Sequence, residues 1–245
     1  MKIASLILFL FVPFACPAIG QTVLGSLQGA VTDSHGVPLA GAEVSYQRIY
    51  KVVKSARGLP VPDKDEAVTR GSASTDTAGV FRADNLPVGD YLFCGRVPET
   101  AYLDSCRWQS PVRVSVVAGS PTKVNLSLAK GVFVNVRIND ALGLLPKGKS
   151  ETLIAGKLLV GVHLENGVYI GAPSTGSDDL GKDCQVTVPA GIPLRLWLFS
   201  RDVRLTDSDG KTISFPGNML PFQATAEKDQ AFVFNVSGTQ EQVAK

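Results

Sequence analysis

The sequence predicts an all-β protein of two tandem Greek-key β-sandwiches, and three observations carry that expectation. After the first twenty residues, no segment of ten or more places apolar residues at i, i+3, i+4 and i+7. Short alternating runs bounded by Gly, Pro, Asp and Asn fill the chain instead, which is the pattern of a sandwich. The turn phrases of the first half also recur, in order, in the second. Asp76-x-x-Gly79 followed by Pro87-x-Gly89 is matched by Asp178-x-x-Gly181 followed by Pro189-x-Gly191, and Val31-x-Asp33-x-x-Gly36 by Ile138-x-Asp140-x-x-Gly143.

The chain has 245 residues, 44% hydrophobic and 19% charged, with a formal net charge of +2. That length allows two ordinary domains with real cores, and the near-neutral charge gives no reason to expect nucleic acid as a partner. Residues 1–20 are expected to be a cleaved signal peptide. Lys2 supplies the positive start, Ile3 to Phe14 the apolar run, and Ala18-Ile-Gly20 the small residues before a cut after Gly20. The run is shorter than the roughly 20 residues that cross a bilayer, and no second one follows. The mature chain is therefore expected to have no transmembrane segment and to be secreted or periplasmic. Cys16 raises a lipoprotein alternative, but Pro13-Phe14-Ala15 lacks the aliphatic residue expected three before such a cysteine.

Along the first domain, 25–129, Leu27 to Val31 reads as a strand and Asp33-Ser-His-Gly36 as a turn, with Asp bonding its own backbone and Gly closing it. Ala42 to Ile49 is the next strand. Residues 50–70 break the rhythm, interleaving Lys51, Lys54, Arg57, Lys64 and Arg70 with Gly58, Pro60 and Pro62, and read as an extended, basic insertion. Strands return at Ser72–Thr75, Val80–Ala83 and Asp90–Gly95, the last with Tyr91 and Phe93 on one face and Leu92 and Cys94 on the other. Val112, Val114 and Val116, then Val124, Leu126 and Leu128, alternate strictly. The second domain, 131–237, is expected to form strands at Val132–Ile138, Lys157–Leu164, Gln185–Val188, Pro193–Phe199, Lys211–Ser214 and Phe232–Val236. Residues 238–245, above all Gln240 to Lys245, read as a frayed end.

The first-half phrases G-x-V-x-D-x-x-G-x-P-L-x-G-A-x-V, T-D-x-x-G-x-F and N-L-P-x-G-x-Y resemble the carboxypeptidase regulatory-like domain. The matching residues include Gly29, Val31, Asp33, Gly36, Pro38, Gly41, Thr75, Asp76, Gly79, Phe81, Asn85, Pro87, Gly89 and Tyr91. That family groups with the transthyretin-like, Cna protein B-type and starch-binding-like sandwiches. The resemblance covers residues 25–128 and implies a seven- or eight-stranded Greek-key sandwich. It implies no catalytic residues and no cofactor, and a role as an accessory, spacer or adhesion module.

Searching for chemistry gives little. No G-x-S-x-G, H-E-x-x-H, P-loop or G-x-G-x-x-G occurs, so no catalytic residue and no metal site is expected. His35 falls at a turn and His163 in a strand, neither beside a nucleophile motif. Cys94 and Cys106 form the natural disulfide pair in an oxidising compartment, the alternative being three reduced thiols with Cys184. Asp207-Ser-Asp209-Gly210 reads as a hairpin turn or a fragment of a calcium loop. Lys130, Glu165 and Asn235 stand in the order of an isopeptide trio. Tyr102, Arg107 and Trp108 form a possible ligand face on the cysteine loop, whereas Trp197 reads as core. The leading expectation is a non-enzymatic binding or structural module of the bacterial envelope or extracellular space, partnering an unknown protein or glycan there. The alternatives are a carbohydrate-binding module using Trp108 and Tyr102, and an accessory domain of a peptidase or outer-membrane transporter.

Overall fold

In chain order the first half forms β1 (Leu24–Asp33), β2 (Glu43–Arg48), β3 (Val52–Lys54), β4 (Pro60–Pro62), β5 (Arg70–Ser74), β6 (Val80–Pro87) and β7 (Gly89–Arg96). A four-residue helix, α1 (Ser105–Trp108), precedes β8 (Val112–Val116) and β9 (Pro121–Leu128). The second half adds β10 (Val132–Asn139), β11 (Leu159–Leu164), β12 (Tyr169–Gly171), β13 (Ser174–Asp178), β14 (Gly181–Val188) and β15 (Pro193–Phe199). It closes with β16 (Val203–Thr206), β17 (Thr212–Ile213), β18 (Met219–Gln223) and β19 (Gln230–Thr239). The structure is a computed structural model that describes residues 23–50, 52–62, 69–146, 158–165, 167–213, 219–223 and 228–240. The signal-peptide expectation, with Cys16, and the end at 241–245 lie outside the described residues.

Two sheets of the first half, ordered β6-β1-β9 and β5-β2-β7-β8, close over one core. β1 runs antiparallel to β6 and parallel to β9. Leu27, Val31, Val44, Tyr91, Phe93 and Leu128 are fully buried between the sheets, each being the inward member of an alternating strand. The second half repeats this connectivity. β10 pairs antiparallel with β14 and in parallel with β19. β11 pairs with β12 and β15, and β15 with β18, as β2 pairs with β5 and β7, and β7 with β8. A separate core, which includes Val134, Ile138, Val162, Leu196, Leu198 and Leu205, fills it. The additions are β13 at one edge of the larger sheet and β16–β17 at the other.

The recurring turns share one mechanism. Asp33 Oδ1 accepts from the N–H groups of His35 and Val37 at 2.8 and 2.9 Å. Asp76 does the same for Ala78 and Val80, both at 2.9 Å. Asp207 does so for Asp209 and Lys211 at 3.0 and 2.9 Å. In each, the glycine three residues on donates to the aspartate carbonyl and has positive φ. The Asp207 loop is therefore a hairpin turn whose carboxylate serves its own backbone, not a calcium loop.

Three sequence expectations change, and one open alternative is settled. The 50–70 insertion contains a hairpin, β3 with β4, paired from Val52↔Pro62 to Lys54↔Pro60. Gln240 is held: its N–H donates to Asp202 at 2.8 Å and its side chain to the Ser200 and Val203 carbonyls. Trp197 is not core, because Leu194, Leu196 and Leu198 take the inward positions of β15 and leave Arg195, Trp197 and Phe199 on the outer face. The isopeptide trio is not assembled. Asn235 lies opposite Asn139, while Lys130 is exposed nine residues before Asn139, about 30 Å away along extended chain.

Candidate functional site

The segment from Val97 to Pro111 straps the two halves together, and three hollows border it. Its root is covalent: Cys94 on β7 is bonded to Cys106 on α1, with their Cα atoms 5.1 Å apart. Local geometry fixes the helix, since Asp104 caps it by accepting the Cys106 N–H at 2.9 Å. The buried Ser105 hydroxyl accepts the Gly95 N–H at 2.8 Å, which seats α1 on β7. Leu103 N–H donates to Ala129 O at 2.9 Å and Gly131 N–H to Ala101 O at 2.6 Å, so the strap pairs with the connection between the halves. Gly131 is required there by close approach, because a Cβ would lie 2.3 Å from Val188 O and 2.6 Å from Leu103 Cδ2.

The three residues of the expected ligand face all sit on this strap. Tyr102 is half-buried and packs against the first core. Trp108 is half-buried and packs against the second. Arg107 is exposed, reaching Gly171 O of β12 at 3.4 Å and Asp104 Oδ2 at 3.5 Å. A cleft of about 200 Å³ between the halves brings them together, with Phe133, Gln185 and Thr187 opposite. Each ring thus packs on its own side of the junction while also lining this cleft.

A second hollow of about 240 Å³ lies beside the disulfide, lined by Glu43, Ser45, Arg96 and Asp104. Arg96 Nε donates to Glu43 Oε2 there at 2.7 Å. The third and largest, about 610 Å³, is a groove on the outer face of β5-β2-β7, lined by Ser45, Gln47, Arg70, Ser72, Leu92 and the disulfide. Sequence reading passed over it because its residues come from three strands and no local motif joins them. Their outward parity was nonetheless readable from the alternation.

The two histidines lie in different settings. Ser34 Oγ lies 3.5 Å and Asp33 Oδ2 3.8 Å from His35, but both approach the same nitrogen, Nδ1, so no proton relay runs through the ring. His163 belongs to an aromatic cluster on the outer face of β12-β11-β15, with centroids 5.2 Å from Tyr169 and 5.2 Å from Trp197. Tyr169 lies over Gly161 and donates its hydroxyl to Val160 O at 3.0 Å. Burial pushes the Tyr169 phenol up to about 12 and the Cys184 thiol up to about 11. Among the described residues, no group of three or more His, Cys, Asp or Glu side chains is arranged to hold a metal ion.

No family profile matches the chain, and no curated protein is similar to it. Several solved structures are similar at low identity. The Bacillus anthracis TIE protein is 13% identical with a TM-score of 0.33, over 87% of this chain and 34% of that one. A streptococcal ancillary pilin is 15% identical with a TM-score of 0.40, over 88% of this chain and 63% of that one. The shaft pilin of Lactobacillus rhamnosus GG is 11% identical with a TM-score of 0.31, over 88% of this chain and 99% of that one. The chain thus spans about a third of the first and less than two thirds of the second. The sandwich architecture stands on the chain's own strand order and its two cores.

Proposed function

We propose that the chain is an exported, non-enzymatic binding or structural module of the bacterial envelope or extracellular space. It is built from two sandwich domains, 25–129 and 131–237, the first of carboxypeptidase regulatory-like type. The observation that carries this reading is the strap. A disulfide ties it to the first sandwich, and the half-buried tryptophan two residues on packs against the core of the second. A structural disulfide persists in oxidising compartments and not in the cytosol, which supports export. A brace of this kind suits a part that must hold two sandwiches in fixed relation and present a surface.

Expression of the full chain in a bacterial host tests the export and the crosslink together. The expected product is a mature protein beginning at Gln21, in the periplasm or medium, two hydrogens lighter than its reduced form. An uncleaved, fully reduced chain in the cytosol would overturn the reading. So would hydrolysis of an ester, glycoside or peptide substrate that a single point substitution abolishes.

A further inference from the structure

The β3–β4 hairpin stands apart from both cores. Its strands, paired from Val52↔Pro62 to Lys54↔Pro60, form a sheet of only two strands among the described residues. Val52 to Lys54 and Ala56 to Pro60 are exposed, and even the apolar Val52 and Leu59 are 66% and 61% exposed. The turn closes on itself. Ser55 N–H donates to Leu59 O and Gly58 N–H to Ser55 O, both at 2.8 Å, and the Ser55 hydroxyl accepts the Leu59 N–H at 3.1 Å. A two-stranded hairpin with no core behind it is marginally stable in water, so it opens without disturbing the sandwich.

Arg57 stands exposed at the tip, followed by Gly58 at φ +74°. Every arginine of the chain lies among the described residues, and all but Arg57 and Arg201 belong to a strand or to α1. Arg201 sits in the bend after β15, where the residue on its carboxyl side is tied at both ends. Asp202 N–H donates to Ser200 Oγ at 3.1 Å, and Asp202 O accepts the Gln240 N–H at 2.8 Å. Ser200 is buried, which anchors that bend in the second half. Endoproteases take their substrates as extended chain, which a paired strand or a tied bend does not supply and an opened hairpin does. Arg57–Gly58 is thus the arginyl bond that a protease reaches without unfolding a sandwich.

Strand order decides what a cut there leaves behind. It separates β1 and β2 from the rest of the chain, yet β1 is the middle strand of β6-β1-β9 and β2 lies between β5 and β7. Leu27, Val31 and Val44 of the shorter piece are fully buried. Both sulfurs of the disulfide lie on the longer piece, so sheet pairing and packing hold the two together.

We propose that Arg57–Gly58 is a processing site for an endoprotease of arginine specificity, and that cleavage leaves the first sandwich closed as two interlocked pieces. Water adds at the Arg57 carbonyl carbon and the bond to the Gly58 nitrogen breaks. The products are a carboxylate on Arg57 and an ammonium on Gly58. This site goes beyond the module reading above and does not depend on it.

Limited digestion of the oxidised chain, from Gln21 to Lys245, with a purified arginine-specific endoprotease tests it, followed by intact mass and native gel filtration. The expected first products are residues 21–57 and 58–245, which elute together and separate only in denaturant. Arg57→Gln should abolish this cut, while Arg201→Gln leaves it unchanged. A first cut at any other arginine, a native chain that is not cut, or pieces that part without denaturant would overturn the proposal.

Discussion

Cys94 and Cys106 share a disulfide that ends two residues before Trp108, so one short segment carries a covalent anchor on the first sandwich and an aromatic contact against the core of the second. The strap's hydrogen bonds to Gly95, Ala129 and Gly131 add to these two anchors.

The crosslink has a measurable effect on stability. It spans a sequence separation of 12, and closing a loop of that size restricts the unfolded chain by about 3 kcal/mol. Replacing both cysteines with serine is expected to lower the denaturant midpoint of the first half correspondingly. An unchanged midpoint would mean that the Ser105–Gly95 bond and buried Leu103 hold the loop unaided.

Gly29 and Gly36 belong to the same sequence phrase but for different reasons. A Cβ at Gly29 would fall 1.8 Å from Val124 O and 2.8 Å from the Phe81 ring, whereas at Gly36, with φ +81°, nothing lies within 4 Å. Gly29→Ala is expected to destabilise by about 3 kcal/mol or more through overpacking against backbone. Gly36→Ala should cost about 1–2 kcal/mol, the left-handed penalty alone. Equal losses in chemical denaturation would contradict this division.

Asp178 should report the turn at its strand end. Arg137 donates to it at 2.7 and 2.9 Å, and this pairing, with the Leu180 N–H second, holds its carboxyl below the ordinary value. A depressed folded pKa stabilises above the unfolded value near 3.9, and that contribution is lost as pH falls through the folded one. Arg137→Gln is expected to move the Asp178 titration, followed by carbon NMR, up toward the ordinary range. An unmoved midpoint would assign the shift to backbone donors alone.

Burial gives the opposite sign at Tyr169. Its folded pKa of about 12 exceeds the unfolded value near 10, so its contribution is present below pH 10 and disappears as pH rises through about 12. An ultraviolet titration is expected to show a late tyrosine phase that Tyr169→Phe removes. Cys184, 1% exposed and with its thiol raised to about 11, should react with a disulfide reagent only on unfolding.

The strands with strict alternation were legible in the sequence, and so were the Asp-x-x-Gly turns, because each is set by residues adjacent in the chain. β16 was also readable, since Val203 and Leu205 point inward and Arg204 and Thr206 outward, yet its brevity let it pass as loop. β12 and β13 carry glycine and serine at an edge, where pairing rather than propensity decides. The repeat was visible in its turns but not in its parity. Tyr91 is buried two residues after Gly89, whereas Leu194 is buried three after Gly191, and that one-residue insertion reverses which side chains face outward. Trp197 reads as core because it lies inside the apolar run Leu194–Phe199, where the alternation of β15 in fact turns it outward. The strap and groove were the least legible parts, since they join residues from β2, β5, β7 and α1 that no local pattern links.

Nitrogen NMR relaxation of the two halves tests the central claim, that the strap makes one rigid body of two sandwiches. Residues 25–129 and 131–237 are expected to report one shared rotational correlation time, which separates into two shorter ones in Trp108→Ala with both sandwiches still folded. Two independent correlation times in the oxidised parent chain would contradict the account.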